Sequence, residues 1–186
     1  MWFFRLLCHQ IPLRSPEFHG TQFPVCFRCA GLYGGMLFGY VFLAIRGGLS
    51  RSFPTKKLAL LAATLTFAYP LDGCANALHF WNSPGWLRSL TGLSAGIATS
   101  VLLLPLASGF GLRRLSSLPE ARALVWPFCS GLGFIAMLSH LTSQIEFELL
   151  AFACALGLGC FVTNLLFSCM RRDHADADSL GHVAGR

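Results

Sequence analysis

Charge is what this sequence has least of. Only 12% of its 186 residues are Asp, Glu, Lys or Arg, where an ordinary soluble domain carries about 25%. With 54% hydrophobic residues and a mean hydropathy of +0.60, that shortage excludes a water-soluble globular domain and requires a second, apolar solvent, the lipid bilayer. The net charge of +6 would suit nucleic acid if it were clustered. Its distribution suits membrane orientation instead, so no nucleic-acid partner is expected. A cleavable signal peptide is not expected either, because the apolar run 1–7 is too short for its core and cleavage site. Inside the apolar runs, polar residues other than Ser and Thr are few, Asn164 being one, and no inverted repeat is visible. Little in the chain therefore resembles a transport pathway.

What is there is a succession of apolar runs, at 25–45, 58–78, 87–110, 123–143 and 149–170. Each is close to the length of a membrane-crossing helix, roughly 17–25 residues. The expected fold is all-α: a single membrane domain over 1–172, with five transmembrane helices and an N-terminal segment at 1–24. The tail 173–186, with Asp173, His174, Asp176 and Asp178, has the composition of a disordered end. Lys and Arg set the orientation. Arg46, Arg51, Lys56, Lys57, Arg113, Arg114, Arg122, Arg171, Arg172 and Arg186 fall on one side of five spans, and Arg5, Arg14, Arg28 and Arg88 on the other. Positive residues mark the cytoplasmic side. The N-terminus is thus expected outside and the C-terminus inside the plasma or inner membrane of the cell.

Small residues recur at helical spacing. Gly31, Gly35 and Gly39 form one stripe, Gly92 and Gly96 another, and Ala153 with Gly157 and Ala155 with Gly159 repeat the pattern. Such stripes let helix backbones approach in lipid, where hydrophobicity alone brings helices together weakly. They predict a compact bundle, and faces of this kind also suit a membrane-protein partner or a second copy of the chain.

The distinctive chemistry lies in CHQIPLRSPEFHGTQFPVCFRCAGLYGG, residues 8–35. Three readings are open. Cys8, Cys26 and Cys29 with His9 make a Cys3His set suited to zinc or another divalent metal. The C-x-x-C spacing of Cys26 and Cys29 fits ligation, and the longer gap from Cys8 is bridged if the loop folds back. A second reading is an envelope thiol-disulfide oxidoreductase. Cys26 and Cys29 share a face at a helix start whose positive end favours thiolates, although the βαβ context of a thioredoxin-like motif is missing. The third reading is packing, since cysteine is a small hydrophobe; it suits Cys129, Cys154, Cys160 and Cys169.

Further polar candidates gather on the expected outer side. Asp72 ends an apolar helix, where a carboxylate is costly unless paired, and Arg14, Arg28 and Arg88 are available partners. Arg88 is also able to snorkel. Asp72, His79 and His140 are reserve metal ligands. Tyr33 lies one turn beyond Cys29 on the same face. Trp81 and Trp86 suit an interfacial aromatic belt.

The pattern of Cys8, His9, Gln10, Pro12, Arg14 and Ser15, then Gly20, Gln22, Pro24, Cys26, Arg28, Cys29, Gly31, Tyr33 and Gly35, resembles a known signature. It is that of the small multi-pass prokaryotic membrane proteins known as domain of unknown function twenty eighty-five. A later block fits at Asp72, Gly73, Arg88, Thr91 and Gly92, and departs at Asn76, where the family has Gln, and at Gly85, where it has Asn. The resemblance implies an integral membrane protein and adds Gln10, Arg14, Ser15, Gln22, Arg28 and Arg88 to the candidate site. It implies no activity. The leading expectation is a metal-binding membrane protein. The oxidoreductase and a small transporter or complex subunit are the rivals, so enzymatic activity stays open.

Overall fold

The computed structural model describes residue 8 and residues 14–45, 56–107, 125–140 and 144–184. Apart from a short hairpin, these residues form five helices: α1 (Phe27–Ile45), α2 (Lys56–Ala77), α3 (Gly85–Ala107), α4 (Val125–Ser139) and α5 (Gln144–Ala184). The architecture is all-helical. Three of the helices carry windows long and apolar enough to cross a membrane: Phe27–Ile45, Lys56–Ala77 and Gln144–Thr163. The sequence leads one to expect five. Helix α3, at 23 residues, has the length of a span, while the 15 residues of α4 reach about 22 Å. The hydrocarbon core is about 30 Å thick, and the segments flanking α4 lie outside the described residues. Much apolar surface faces outward, with Leu60, Phe67 and Leu71 of α2 all exposed.

Helix α5 runs on to Ala184, so residues 173–184 continue it where an unstructured tail is expected. Helix α2 contains Pro70, which cannot donate to the carbonyl four residues back. It closes with two bonds: the Phe80 amide donates to the Ala75 carbonyl at 3.1 Å and the His79 amide to that of Asn76 at 3.4 Å. This is the Schellman pattern, which needs a left-handed residue, usually glycine. Here that residue is His79, at φ +60°. A side chain in that conformation costs roughly 1–2 kcal/mol.

The centre of the fold is a backbone seam between α1 and α3. A Cβ on Gly31 would strike the Ser89 carbonyl, one on Gly35 the Leu93 carbonyl, and one on Gly39 the Ser100 side chain at 2.8 Å. The seam is reciprocal, for Gly92 and Gly96 lie against the carbonyls of Arg28 and Leu32. Two hydroxyls tie it further, Ser89 donating to the Phe27 carbonyl (3.1 Å) and Ser100 to that of Met36 (3.2 Å). On the opposite side of α1, Gly157 of α5 abuts the Tyr33 carbonyl, whereas Gly159 has nothing near it. Of the two small-residue pairs in α5, only the one containing Gly157 meets a neighbouring backbone.

The hairpin explains how the N-terminal segment turns back. β1 (Glu17–Phe18) pairs with β2 (Thr21–Gln22) in antiparallel register, Glu17 opposite Gln22 and Phe18 opposite Thr21. The two linking residues, His19 and Gly20, both have positive φ, 47° and 75°. This matches the twist of a two-residue hairpin turn. Below it, the Phe23 amide donates to the Pro16 carbonyl at 2.8 Å. The hairpin is pinned to the start of α5 through Phe23, which is fully buried and meets the Phe147 ring edge-on at 5.2 Å.

Candidate functional site

With the segment folded back, Cys8 reaches the start of α1. The Sγ atoms of Cys8, Cys26 and Cys29 all lie within 4.8 Å of one another. Cys8 is buried and the other two are half-buried, all as free thiols. The Cys26 amide donates to the Cys8 sulfur at 3.2 Å, which fixes Cys8 at the helix entrance. His9 and Gln10 lie outside the described residues. Tyr69 of α2 is a neighbour of Cys29, and Tyr33 is buried one turn further along α1.

The helix start would be expected to lower the Cys26 thiol's pKa, but it is raised. The hydrogen bond with Cys29 does lower it, yet the bond with Cys8, burial and the charge of Cys8 together outweigh that. Sulfurs packed this closely repel one another as thiolates. A divalent cation among them reverses that preference, because a coordinating thiol is deprotonated outright.

A second polar cluster lies beside the first. Arg28, in the first turn of α1, forms an ion pair with Asp72 of α2. Of the three arginines available, it is Arg28 that neutralises Asp72. Arg88 goes elsewhere. It is buried rather than snorkelling, at 6% exposure, and binds only neutral oxygens among the described residues. Its Nε donates to Ser83 Oγ at 3.1 Å, and its Nη2 to the side-chain oxygens of Asn76 at 3.0 Å and Asn82 at 2.9 Å. Asn76 is the hub. Its amide nitrogen donates to the carbonyl of Asp72 at 2.7 Å and to its carboxylate at 3.0 Å, and its oxygen accepts the Ser83 amide at 3.2 Å. The departure from the family's Gln therefore keeps an amide at the centre of this network.

The remaining expected residues separate. Asp72, His79 and His140 are not part of the sulfur cluster; Asp72 is paired with Arg28, and both histidines are exposed. Ser15 is buried and Gln22 sits in the hairpin. Arg14 lines a cavity with Arg88 and His79. Cys154 is buried against α1, its thiol directed at the Ala30 carbonyl at 3.9 Å, as packing predicts. Sequence reasoning missed Tyr69, whose only signal was a polar ring beside Pro70. It also missed the bonding of Asn76, Asn82 and Ser83, which depends on how the α2–α3 turn closes.

The family described as "Predicted membrane protein (DUF2085)" matches residues 8–102, about half the chain. The chain belongs to this family. A similar uncharacterized protein of Methanothermobacter thermautotrophicus is 40% identical over 99 residues, covering 53% of this chain and 86% of the relative. Another, from Methanocaldococcus jannaschii, is 32% identical over 103 residues, covering 55% of this chain and 65% of the relative. No solved structure matches. The DUF2085 region holds the three cysteines, the hairpin, the α1–α3 seam and the Arg88 network, so both polar clusters are family territory, while α4 and α5 lie beyond it.

Proposed function

We propose that this membrane protein holds a divalent metal ion, zinc by the character of its ligands, on Cys8, Cys26 and Cys29, with His9 as the fourth ligand. One observation carries the reading: the sulfur of Cys8 and the two of the C-x-x-C at Cys26 and Cys29, from two separate parts of the chain, gather within 4.8 Å of one another. A tetrahedral zinc site with Zn–S bonds of about 2.3 Å needs sulfurs about 3.8 Å apart, so small side-chain rotations suffice. Soft thiolates with one imidazole favour zinc over calcium or magnesium. Four protein ligands leave no open position, which is the pattern of a structural site. Its role is to tie the N-terminal segment to the start of α1.

The membrane setting belongs to the same proposal. Five spans, with the N-terminus and the metal site outside and the C-terminus in the cytoplasm, agree with the distribution of Lys and Arg. The partner is the bilayer of the cell membrane. A C-terminal fusion reporter found outside the cell would overturn the orientation.

Elemental analysis of protein purified under reducing, chelator-free conditions tests the metal. About one zinc per chain is expected for the wild type, and none for Cys26→Ser or Cys29→Ser. Equal, near-zero metal in all three sinks the proposal. The half-buried, adjacent thiols of Cys26 and Cys29 support one rival, redox exchange. Alkylation of thiols in intact cells separates the two: a pair cycling between dithiol and disulfide favours the rival, and a metal-masked pair favours zinc.

A further inference from the structure

Beside the sulfur cluster, the turn between α2 and α3 encloses a cavity of about 580 Å³ lined by Arg14, His79, Trp81, Asn82 and Arg88, with Phe27 as one wall. We infer that this cavity binds a phosphate-type oxyanion, supplied either by the headgroup of an anionic phospholipid or by free phosphate.

The argument begins with charge. Arg88 is almost wholly buried, and among the described residues every acceptor it meets is neutral. A buried guanidinium is costly unless its charge is matched. The carboxylate next in the network, Asp72, is already paired with Arg28 and reaches Arg88 only through the Asn76 amide. Arg14 lines the same cavity and makes no ion pair among the described residues. Counting Arg14, Arg28 and Arg88 against Asp72 leaves a positive excess around a hollow, and an anion entering there supplies the missing counter-charge.

Shape and position narrow the class. The volume falls within the range of roughly 300–1,000 Å³ typical of small-ligand sites. Two guanidinium groups on different segments, the His79 ring and the Asn82 amide offer donors from several directions, which suits the several oxygens of a phosphate. Gly85, the first residue of the 23-residue helix α3, also lines the cavity and turns the positive end of that helix toward it. His79 holds its place at the cost of a left-handed backbone, a form of strain that clusters at ligand-binding positions. Exposed Trp81 and Trp86 flank the turn, and tryptophan is enriched at the depth of lipid headgroups.

The test uses the full chain in neutral detergent at fixed ionic strength. It is titrated separately with inorganic phosphate, short-chain phosphatidylglycerol and short-chain phosphatidylcholine, with heat or tryptophan fluorescence as the signal. Saturable binding of phosphate or phosphatidylglycerol, tighter than that of phosphatidylcholine, is expected. Binding of phosphatidylglycerol alone identifies the lipid headgroup as source, and binding of phosphate alone identifies the free ion. Arg14→Gln and Arg88→Lys should each weaken binding by about tenfold or more, since each removes charged hydrogen bonds. Arg14→Gln disturbs no ion pair and so decides the matter even if Arg88→Lys fails to fold. Absence of saturable binding by both anions, or binding indifferent to Arg14→Gln, overturns the inference.

Discussion

The two polar clusters near the start of α1 differ in what they need. The arginine–amide cluster meets most of its hydrogen bonds from within: Asn76, Ser83 and Asn82 supply partners to Arg88 and Asp72 answers Arg28, so what it lacks is a counter-charge for Arg88 rather than hydrogen-bond partners. The sulfur cluster has few such partners. Three thiols face one another, with the Cys26 amide and Tyr69 as neighbours. One cluster is part of what holds the bundle together. The other gathers three sulfurs, and on the zinc reading proposed above its contribution depends on the ion they hold. Polar groups in an apolar protein therefore divide by whether their hydrogen bonds close internally.

Mutations sharpen that division. The largest effect on the fold is expected from Asn76→Ala, which strips acceptors from buried Arg88 and from the Ser83 amide. It should cost about 3 kcal/mol, seen as a lower thermal midpoint in detergent, while metal content per folded chain stays at the wild-type level. Asp72→Asn should cost about 2 kcal/mol by leaving Arg28, 16% exposed, without its counter-ion; again the metal stays. Cys8→Ala reverses the pattern. Measured after chelation, it should lower stability by only about 1 kcal/mol, yet it should abolish metal binding, read by elemental analysis. The smallest effect is expected from His79→Gly. Relief of the left-handed side chain should raise the midpoint slightly, by about 1 kcal/mol, with metal content unchanged. If Asn76→Ala emptied the metal site, or Cys8→Ala destabilised the chelated protein as much as Asn76→Ala, the two clusters would have to be one unit.

Much of this was legible in the sequence. The five helices follow from apolar runs, and the sulfur cluster from a C-x-x-C with an upstream cysteine. The glycine stripe of α1 announced a close helix contact because its spacing matches the helical repeat. Other features were hidden for physical reasons. The turn at His19 and Gly20 requires positive φ at both positions, and only one of them is glycine. Gly157 and Gly159 look alike in the chain but point to different faces, so only the first meets α1. Arg88 looked free to reach the interface. Its burial goes with Asn76 at the end of α2 and with Asn82 and Ser83, which the seven-residue connection to α3 folds over it.

The glycine seam has a mechanical consequence. Along α1 and α3, carbonyls of one helix occupy the places where side chains of the other would begin. Sliding either helix by one residue would replace those glycines with bulkier neighbours such as Leu32 and Leu93, which cannot enter the same space. The two helices are therefore keyed together like a shaft and its spline. Any rearrangement that ligands bring about at the cysteine end has to be taken up by α2, α4 or α5 moving around this fixed axle.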